Sequence, residues 1–397
     1  MIKRTEYLNQ LLGFRDKQLI KVITGIRRCG KSTLLELYRG ELLSAGADSG
    51  QIITVNFEEA ESEALTERKA LYAYINERLQ PDKMNYIFLD EIQHVDEWQR
   101  TVDSLFIKKN CDVYITGSNA YLLSGELATL LSGRYVEIRM LPLSFAEYVS
   151  AFPDRTDLSR KYGSYLVNSS FPYTLELSKP KDIRAYLDGI YTSVVLKDVV
   201  ARRKIADVAA LESVIRFMFD NIGNLCSAKK IADTLNSGGR RISVHTVEGY
   251  LSALCDSFIL YKTGRYDVKG KQYLKTGEKY YVADIGLRYY LLGAQKADLG
   301  RALENVVYLE LLRRGYDVRI GKVGNAEADF IAANENGVEY YQAALTVRDA
   351  NTLARELAPL DAIADHNPKF LLTLDDDPPA SHNGIRQVNA LDWLLGK

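Results

Sequence analysis

The 397-residue sequence predicts an α/β protein built on a parallel sheet, and three observations predict it. Apolar segments near 19–24, 51–57, 86–90, 112–116 and 134–139 alternate with stretches of helical periodicity, the pattern of a sheet covered on both faces. The first segment, QLIKVIT, runs into Gly25–Ser32, which fits G-x-x-x-x-G-K-[ST] at every position. The third, NYIFLD, ends in an acidic pair, Asp90 and Glu91. A strand, a glycine-bracketed loop and a helix, followed by a buried strand ending in two carboxylates, are the parts of a phosphate-binding core.

In chain order, residues 1–18 are expected to form an amphipathic helix leading into the first strand. Gly25, Arg28, Cys29, Gly30, Lys31, Ser32 and Thr33 then make the loop and the first turn of the helix STLLELYRGELL. In such a loop, successive backbone N–H groups and the positive helix end converge on anionic oxygens. Lys31 is expected on the β- and γ-phosphates of ATP, and the Ser32 hydroxyl on Mg²⁺. Asp90 is the candidate second Mg²⁺ ligand, and Glu91 the candidate base for the attacking water. A strand ending in solvated acids is common by itself; the upstream P-loop favours the catalytic reading. The strand CDVYITGSN ends in Ser118 and Asn119, either of which suits a γ-phosphate sensor; Asn119 is the first choice.

Residues 142–204 read as helical, with Pro142, Pro153, Pro172 and Pro180 marking breaks, which suits a small lid. Residues 205–299 read as helix, turn, helix and two strands joined by a Gly/Lys-rich turn, a winged-helix-like order. Val244, Val247, Leu251 and Leu254 make an apolar stripe at helical spacing, with Ser243 as N-cap. Between Cys226 and Val282 there are ten Lys/Arg against five Asp/Glu, in a chain whose formal net charge is −1. Lys229, Lys230, Arg240, Arg241, Lys269 and Lys271 suit DNA phosphates, and His245 and Thr246 a groove. The competing reading is a winged helix used for packing or protein contact. From residue 300 to 397, Glu304 lies on an expected helix and Asp329 and Gln342 on an expected hairpin. That resembles a metal-dependent nuclease site in which the usual lysine position is Ala344, a degenerate arrangement unless Lys322 or Arg348 substitutes.

Composition bounds the rest. Apolar residues at 47% and charged residues at 26% are ordinary for a globular chain, and the near-zero net charge argues against an all-over polyanion binder. No apolar run reaches membrane-spanning length, and MIKRTEYLNQLL lacks a signal-peptide core, so no membrane and a cytoplasmic location are expected. Cys29, Cys111, Cys226 and Cys255 are scattered without CxxC spacing, which suggests neither a disulfide framework nor a zinc site.

GIRRCGKSTLL, FLDEIQ, ITGSNAYLL, LSGRYVEIRMLPLSF and NALDWLL together resemble the prokaryotic AAA-type ATPases whose C-terminal region is known as domain of unknown function 4143. The resemblance implies an AAA+ core over 1–141, a lid over 142–204, a winged-helix-like domain over 205–299 and a restriction-endonuclease-like domain over 300–397. It also implies ATP and Mg²⁺ as cofactors and a homo-oligomer, a ring or partial ring. Arg134, just before the fifth strand, stands where AAA+ proteins place an arginine finger; the plainer reading is a surface arginine. One departure is that such sequences often carry Gly-Gly-Phe-Pro where this chain reads NSSFPY, Asn168 to Tyr173. The expected function is an ATPase coupled to DNA or a DNA-bound partner. The alternatives are a nucleotide-gated switch that binds protein partners in defence or signalling, and an ATP-controlled nuclease.

Overall fold

Five short strands, β1 (Ile20–Thr24), β2 (Ile52–Asn56), β3 (Asn85–Asp90), β4 (Cys111–Gly117) and β5 (Tyr135–Arg139), form one sheet in the order β2-β3-β4-β1-β5. Every neighbouring pair is parallel. The structure is a computed structural model that describes residues 2–123, 131, 133–201, 203–270, 272–293 and 298–397. Strands β1 and β3 are buried at every residue, as apolar strands between two helical layers must be. Around them pack α1 (Thr5–Gly13), α2 (Lys31–Ser44), α3 (Arg68–Asn76) and α4 (Trp98–Phe106). Val22, Ile87, Leu89 and Ile115 from the strands meet Leu71, Ile75, Val102 and Leu105 from the helices in one core. Because the strands are parallel, the chain leaves β1, β3 and β4 at the same edge of the sheet. That edge collects Gly25–Ser32, Asp90–Glu91 and Ser118–Asn119.

The chain divides into a first unit of residues 1–142 with 256–258, and a second of residues 143–255 with 259–397. In the second unit, helices α5 (Phe145–Ser150), α6 (Leu158–Asn168) and α7 (Pro180–Tyr191) precede a π-helical stretch, Thr192–Ala201. Then come α8 (Val208–Asp220), β6 (Leu225–Cys226), α9 (Ala228–Ser237) and α10 (Val244–Asp256), followed by the antiparallel pair β7 (Leu260–Asp267) and β8 (Gln272–Val282). After α11 (Ile285–Leu292) and α12 (Leu299–Arg313) come β9 (Asp317–Val323), β10 (Ala326–Asn334) and β11 (Gly337–Ala344). Helix α13 (Ala350–Asp361), β12 (Lys369–Thr373), β13 (Ala380–His382), β14 (Ile385–Asn389) and α14 (Ala390–Leu394) complete it.

The regions read separately as 205–299 and 300–397 share one nine-stranded sheet, ordered β13-β14-β12-β11-β10-β9-β7-β8-β6. The joint is a parallel ladder from Arg265↔Ile320 to Asp267↔Lys322. Ser243 caps α10 as expected, its hydroxyl accepting from the Thr246 amide at 3.0 Å. The expected stripe on α10 needs one correction. Val247, Leu251 and Leu254 are buried, but Val244 is 39% exposed and Tyr250 and Ala253 complete the inward face.

The NSSFPY departure has a structural counterpart. Ser169 has φ +79, a backbone conformation that favours glycine, and is wholly buried. Its neighbour Ser170 donates both its amide and its hydroxyl to the Asp284 carboxylate, each at 2.6 Å. The same carboxylate caps α11 by accepting from the Leu287 amide at 2.7 Å.

Candidate functional site

The loop after β1 is shaped by backbone conformations that few residue types adopt. Arg28 has φ +69, and Gly30, which caps α2, has φ +102. A Cβ on Gly25 would lie 2.1 Å from the Met140 carbonyl oxygen, so this position admits no side chain. The Cys29 amide donates to the Ile26 carbonyl at 3.2 Å, closing a tight turn, and the Cys29 side chain is fully buried. Helix geometry leaves the first amides of α2, on Lys31, Ser32 and Thr33, without intrahelical partners and facing the loop's concavity. The arrangement is an anion cradle.

Lys31 is buried, and its amine donates to the Gly25 carbonyl at 3.2 Å and stands 3.3 Å from a Glu91 oxygen. Burial pulls the Lys31 pKa down, but the charge of Glu91 and other neighbours more than offset this, and the net shift is upward. Burial likewise pushes Glu91 up. Lys31, together with hydrogen bonds from Gln93 and Ser118, outweighs it and holds the carboxyl below the ordinary range. Glu91 has φ +52, strained for a non-glycine residue, and its amide is held by the Thr116 hydroxyl at 2.9 Å. That hydroxyl in turn donates to Asp90. The Ser32 hydroxyl also bonds Asp90, whose carboxyl burial nevertheless raises. Ser32 and Asp90 thus place two hard oxygen donors side by side, with a buried carboxylate short of positive charge; these residues fit Mg²⁺.

Sequence reasoning missed two residues here and one role. Thr116 bridges Asp90 and Glu91, and Gln93 donates to the second Glu91 oxygen. Ser118, considered only as a sensor, bonds the same Glu91 carboxylate. The signals were a polar residue two positions beyond Asp-Glu in FLDEIQ and a threonine directly after the apolar run VYI of the fourth strand. Asn119, the preferred sensor, is buried beside them and accepts the Leu122 amide through its backbone carbonyl. Arg134 stands at the N-terminal end of β5, the sheet edge opposite the cradle, where it pairs with Asp103 and lies over the Phe106 ring.

Elsewhere, Lys229, Lys230, Arg240, Arg241, His245 and Lys269 are solvent-exposed on α9, the α9–α10 turn, the start of α10 and the β7–β8 turn. Lys271 lies outside the described residues. In the C-terminal region the structure brings Glu304, Asp329 and Gln342 together. The Asp329 amide donates to the Gln342 side-chain oxygen at 3.2 Å, and the Asp329 carboxylate accepts the Ala343 amide at 2.9 Å. The expectation that a lysine is missing needs correction. Lys279, from β8, sits 3.0 Å from Glu304 and 2.9 Å from Glu327, and its charge also acts on Asp329. Lys322 and Arg348 do not substitute, being paired instead with Asp267 and with Asp375 and Asp377.

A parallel sheet in the order β5-β1-β4-β3-β2, with a P-loop after β1 and Asp-Glu after β3, defines a P-loop ATPase core of the AAA type. Residues 17–149 match the AAA domain family, and residues 159–298 match a family described as domain of unknown function 8612. The chain is 42% identical to an uncharacterized protein of Haemophilus influenzae, over all of this chain and 99% of that one. It is 30% identical to an uncharacterized protein of Methanocaldococcus jannaschii, over 90% of this chain and 82% of that one. The chain belongs to the family these proteins form. Among solved structures it is similar to a Walker-type ATPase of Pyrococcus abyssi, with a TM-score of 0.50 and 14% identity, over 73% of this chain and 96% of that one. At that identity the likeness bears on fold alone. Among the described residues no helix is long and apolar enough to cross a membrane.

Proposed function

We propose that this protein hydrolyses ATP with Mg²⁺ at the cradle and couples turnover to DNA or a DNA-bound partner through its basic middle region. The observation that carries the reading is the buried Lys31–Glu91 pair beside the Ser32–Asp90 pair. Lys31 exchanges Glu91 for the β- and γ-phosphates when ATP enters. The exchange removes the charge that holds Glu91 down, so burial makes the carboxylate more basic as the substrate arrives. Gln93 and Ser118 keep it aimed, and the strained Glu91 backbone fixes its direction. Ser32 and Asp90 would hold Mg²⁺, which supplies charge neutralisation of the phosphates. Asn119 is the proposed γ-phosphate sensor, and Arg134 the proposed finger toward a neighbouring copy in a homo-oligomer.

Lys31→Ala is expected to lose most ATP affinity. Glu91→Gln is expected to retain binding while turnover falls by about 10²–10⁴-fold. ATP binding and phosphate release, each measured with and without single- and double-stranded DNA, check both parts. Full turnover by Glu91→Gln would remove Glu91 as the base, and turnover indifferent to DNA would favour the protein-binding switch. A specific observation also bears on the nuclease alternative. Lys279 brings to the cluster the lysine that Ala344 cannot supply, which removes that objection to cleavage. Its ion pairs with Glu304 and Glu327, however, occupy carboxylates a metal would need, so the cluster is read as an internal ion-pair centre that does not cut DNA. Mg²⁺-dependent DNA cleavage abolished by Asp329→Ala would overturn that.

A further inference from the structure

The residue that caps the start of α1 is an arginine that no phosphate-binding pattern includes. Arg4 is only 3% exposed. Its guanidinium donates to the Cys29 carbonyl at 3.0 Å and, through its other terminal nitrogen, to the Leu141 carbonyl at 2.8 Å. The guanidinium also lies over the ring of Tyr7, one turn further along α1, at 4.9 Å. The Tyr7 hydroxyl accepts the Leu141 amide at 3.1 Å. The N-terminal end of α1, with its cap residue Arg4, therefore holds the P-loop and both polar groups of Leu141. The two held segments also touch directly, since the Met140 amide donates to the Thr24 carbonyl at 2.7 Å and Gly25 has no room for a Cβ against Met140.

The physical consequence follows from the planar trans peptide. The Cys29 carbonyl and the Gly30 N–H belong to one rigid unit and point in opposite directions. A donor fixed on the outside of that carbonyl sets where the N–H points on the inside, toward the cradle. A charged, buried donor suits the task, because charge-assisted hydrogen bonds are about twice as strong as neutral ones. The other terminal nitrogen holds Leu141, the last residue but one before the chain leaves this unit at Pro142.

We infer that Arg4 is a positioning residue of the nucleotide site, and that Arg4 and Tyr7 couple phosphate binding at Gly30 to the backbone of Leu141, two residues beyond β5. Phosphate drawn to the Gly30 N–H polarises the same peptide and strengthens the Arg4–Cys29 hydrogen bond. By reciprocity, loosening Leu141 weakens nucleotide binding. The inference rests on the ATPase reading for its ligand, whereas its geometry does not.

The test uses the full chain as wild type, Arg4→Met, Arg4→Lys and Tyr7→Phe. It measures ATP affinity, steady-state kinetics and residue-level hydrogen exchange. Arg4→Met should raise KM and Kd for ATP by about tenfold or more while kcat at saturation stays within about twofold. Arg4→Lys, which keeps the charge but reaches only one carbonyl well, should recover part of the affinity. In wild type, ATP should slow exchange at the Leu141 amide, and Tyr7→Phe should abolish that response while leaving ATP binding measurable. Without nucleotide, the Gly30 amide should exchange faster in Arg4→Met than in wild type. Wild-type affinity in folded Arg4→Met, or a Leu141 amide indifferent to ATP, overturns the inference. Absence of ATP binding by wild type defeats the ATPase reading instead, and the nucleotide-free exchange at Gly30 then still decides whether Arg4 sets that peptide.

Discussion

At the scale of single residues, the protein concentrates buried charge in two places and treats it differently. At the cradle, Lys31 holds Glu91 below the ordinary carboxylate range. In the C-terminal cluster, burial, aided by the charge of Glu304, pushes Asp329 well above that range despite Lys279. A carboxyl whose folded pKa is raised binds its proton more tightly in the folded state. Its ionisation therefore costs stability as pH rises from the unfolded value, about 4, through the folded one. Asp329→Asn keeps an oxygen to accept the Ala343 amide and removes the charge. The variant is expected to melt higher than wild type at neutral and alkaline pH, with the gain vanishing as pH falls to about 4. Thermal melts across that range check it, and a gain that grows toward acid would contradict the assignment. The cradle loop and the Asp90–Glu91 pair were legible because phosphate-binding chemistry demands fixed spacing within one loop or strand end. Lys279 was not, because it reaches Glu304 from a strand 25 residues earlier in sequence. A lysine sought two positions after Gln342 has no local signal pointing to β8.

At the scale of elements, apolar runs and caps were readable, and partnerships between distant elements were not. The five core strands fall within a residue or two of where apolar segments placed them. The central strands β1, β3 and β4 are buried on both faces and leave a nearly continuous signature. The β7–β9 ladder left no signature, because period-two alternation does not say which strand lies alongside. Arg4 was hidden for a related reason: an arginine in an expected amphipathic helix reads as a solvated charge until its carbonyl partners are seen. The Asp284 carboxylate shows how much one such partnership holds. It binds the Ser170 amide and hydroxyl and caps α11, and the backbone beside it is strained at Ser169. Asp284→Ala strands several buried donors, at about 1–3 kcal/mol for each one left unsatisfied. A loss of about 3 kcal/mol or more is expected, with a smaller loss for Asp284→Asn, which keeps one acceptor. Urea denaturation of both variants checks the order, and equal losses would mean that packing rather than hydrogen bonding dominates.

At the scale of the whole molecule, the proposals depend on charges that must meet something outside the chain. For Arg240 and Arg241 the proposed partner is DNA phosphate. Changing both to Ala should weaken binding and flatten the dependence of log affinity on log salt by about one unit for each phosphate no longer neutralised. A fluorescence-anisotropy series in salt reads the slope, and an unchanged slope would remove these arginines from the interface. For Arg134 the proposed partner is a nucleotide in a neighbouring copy, since it stands at the sheet edge opposite its own cradle. To act there it must leave Asp103. Both side chains of that pair are partly exposed, at 44% and 29%, and such pairs contribute at most about 1 kcal/mol, so releasing Arg134 costs little. Glu91→Gln subunits lack the base but keep the finger, and Arg134→Ala subunits the reverse. Each alone should be nearly inactive. A mixture should regain part of the wild-type rate, because a mixed assembly contains sites with an intact Glu91 facing an intact Arg134. Recovery should follow the mixing ratio and vanish on dilution below the assembly concentration. If Arg134→Ala alone turns over ATP at the wild-type rate, Arg134 is a surface arginine whose partner is Asp103.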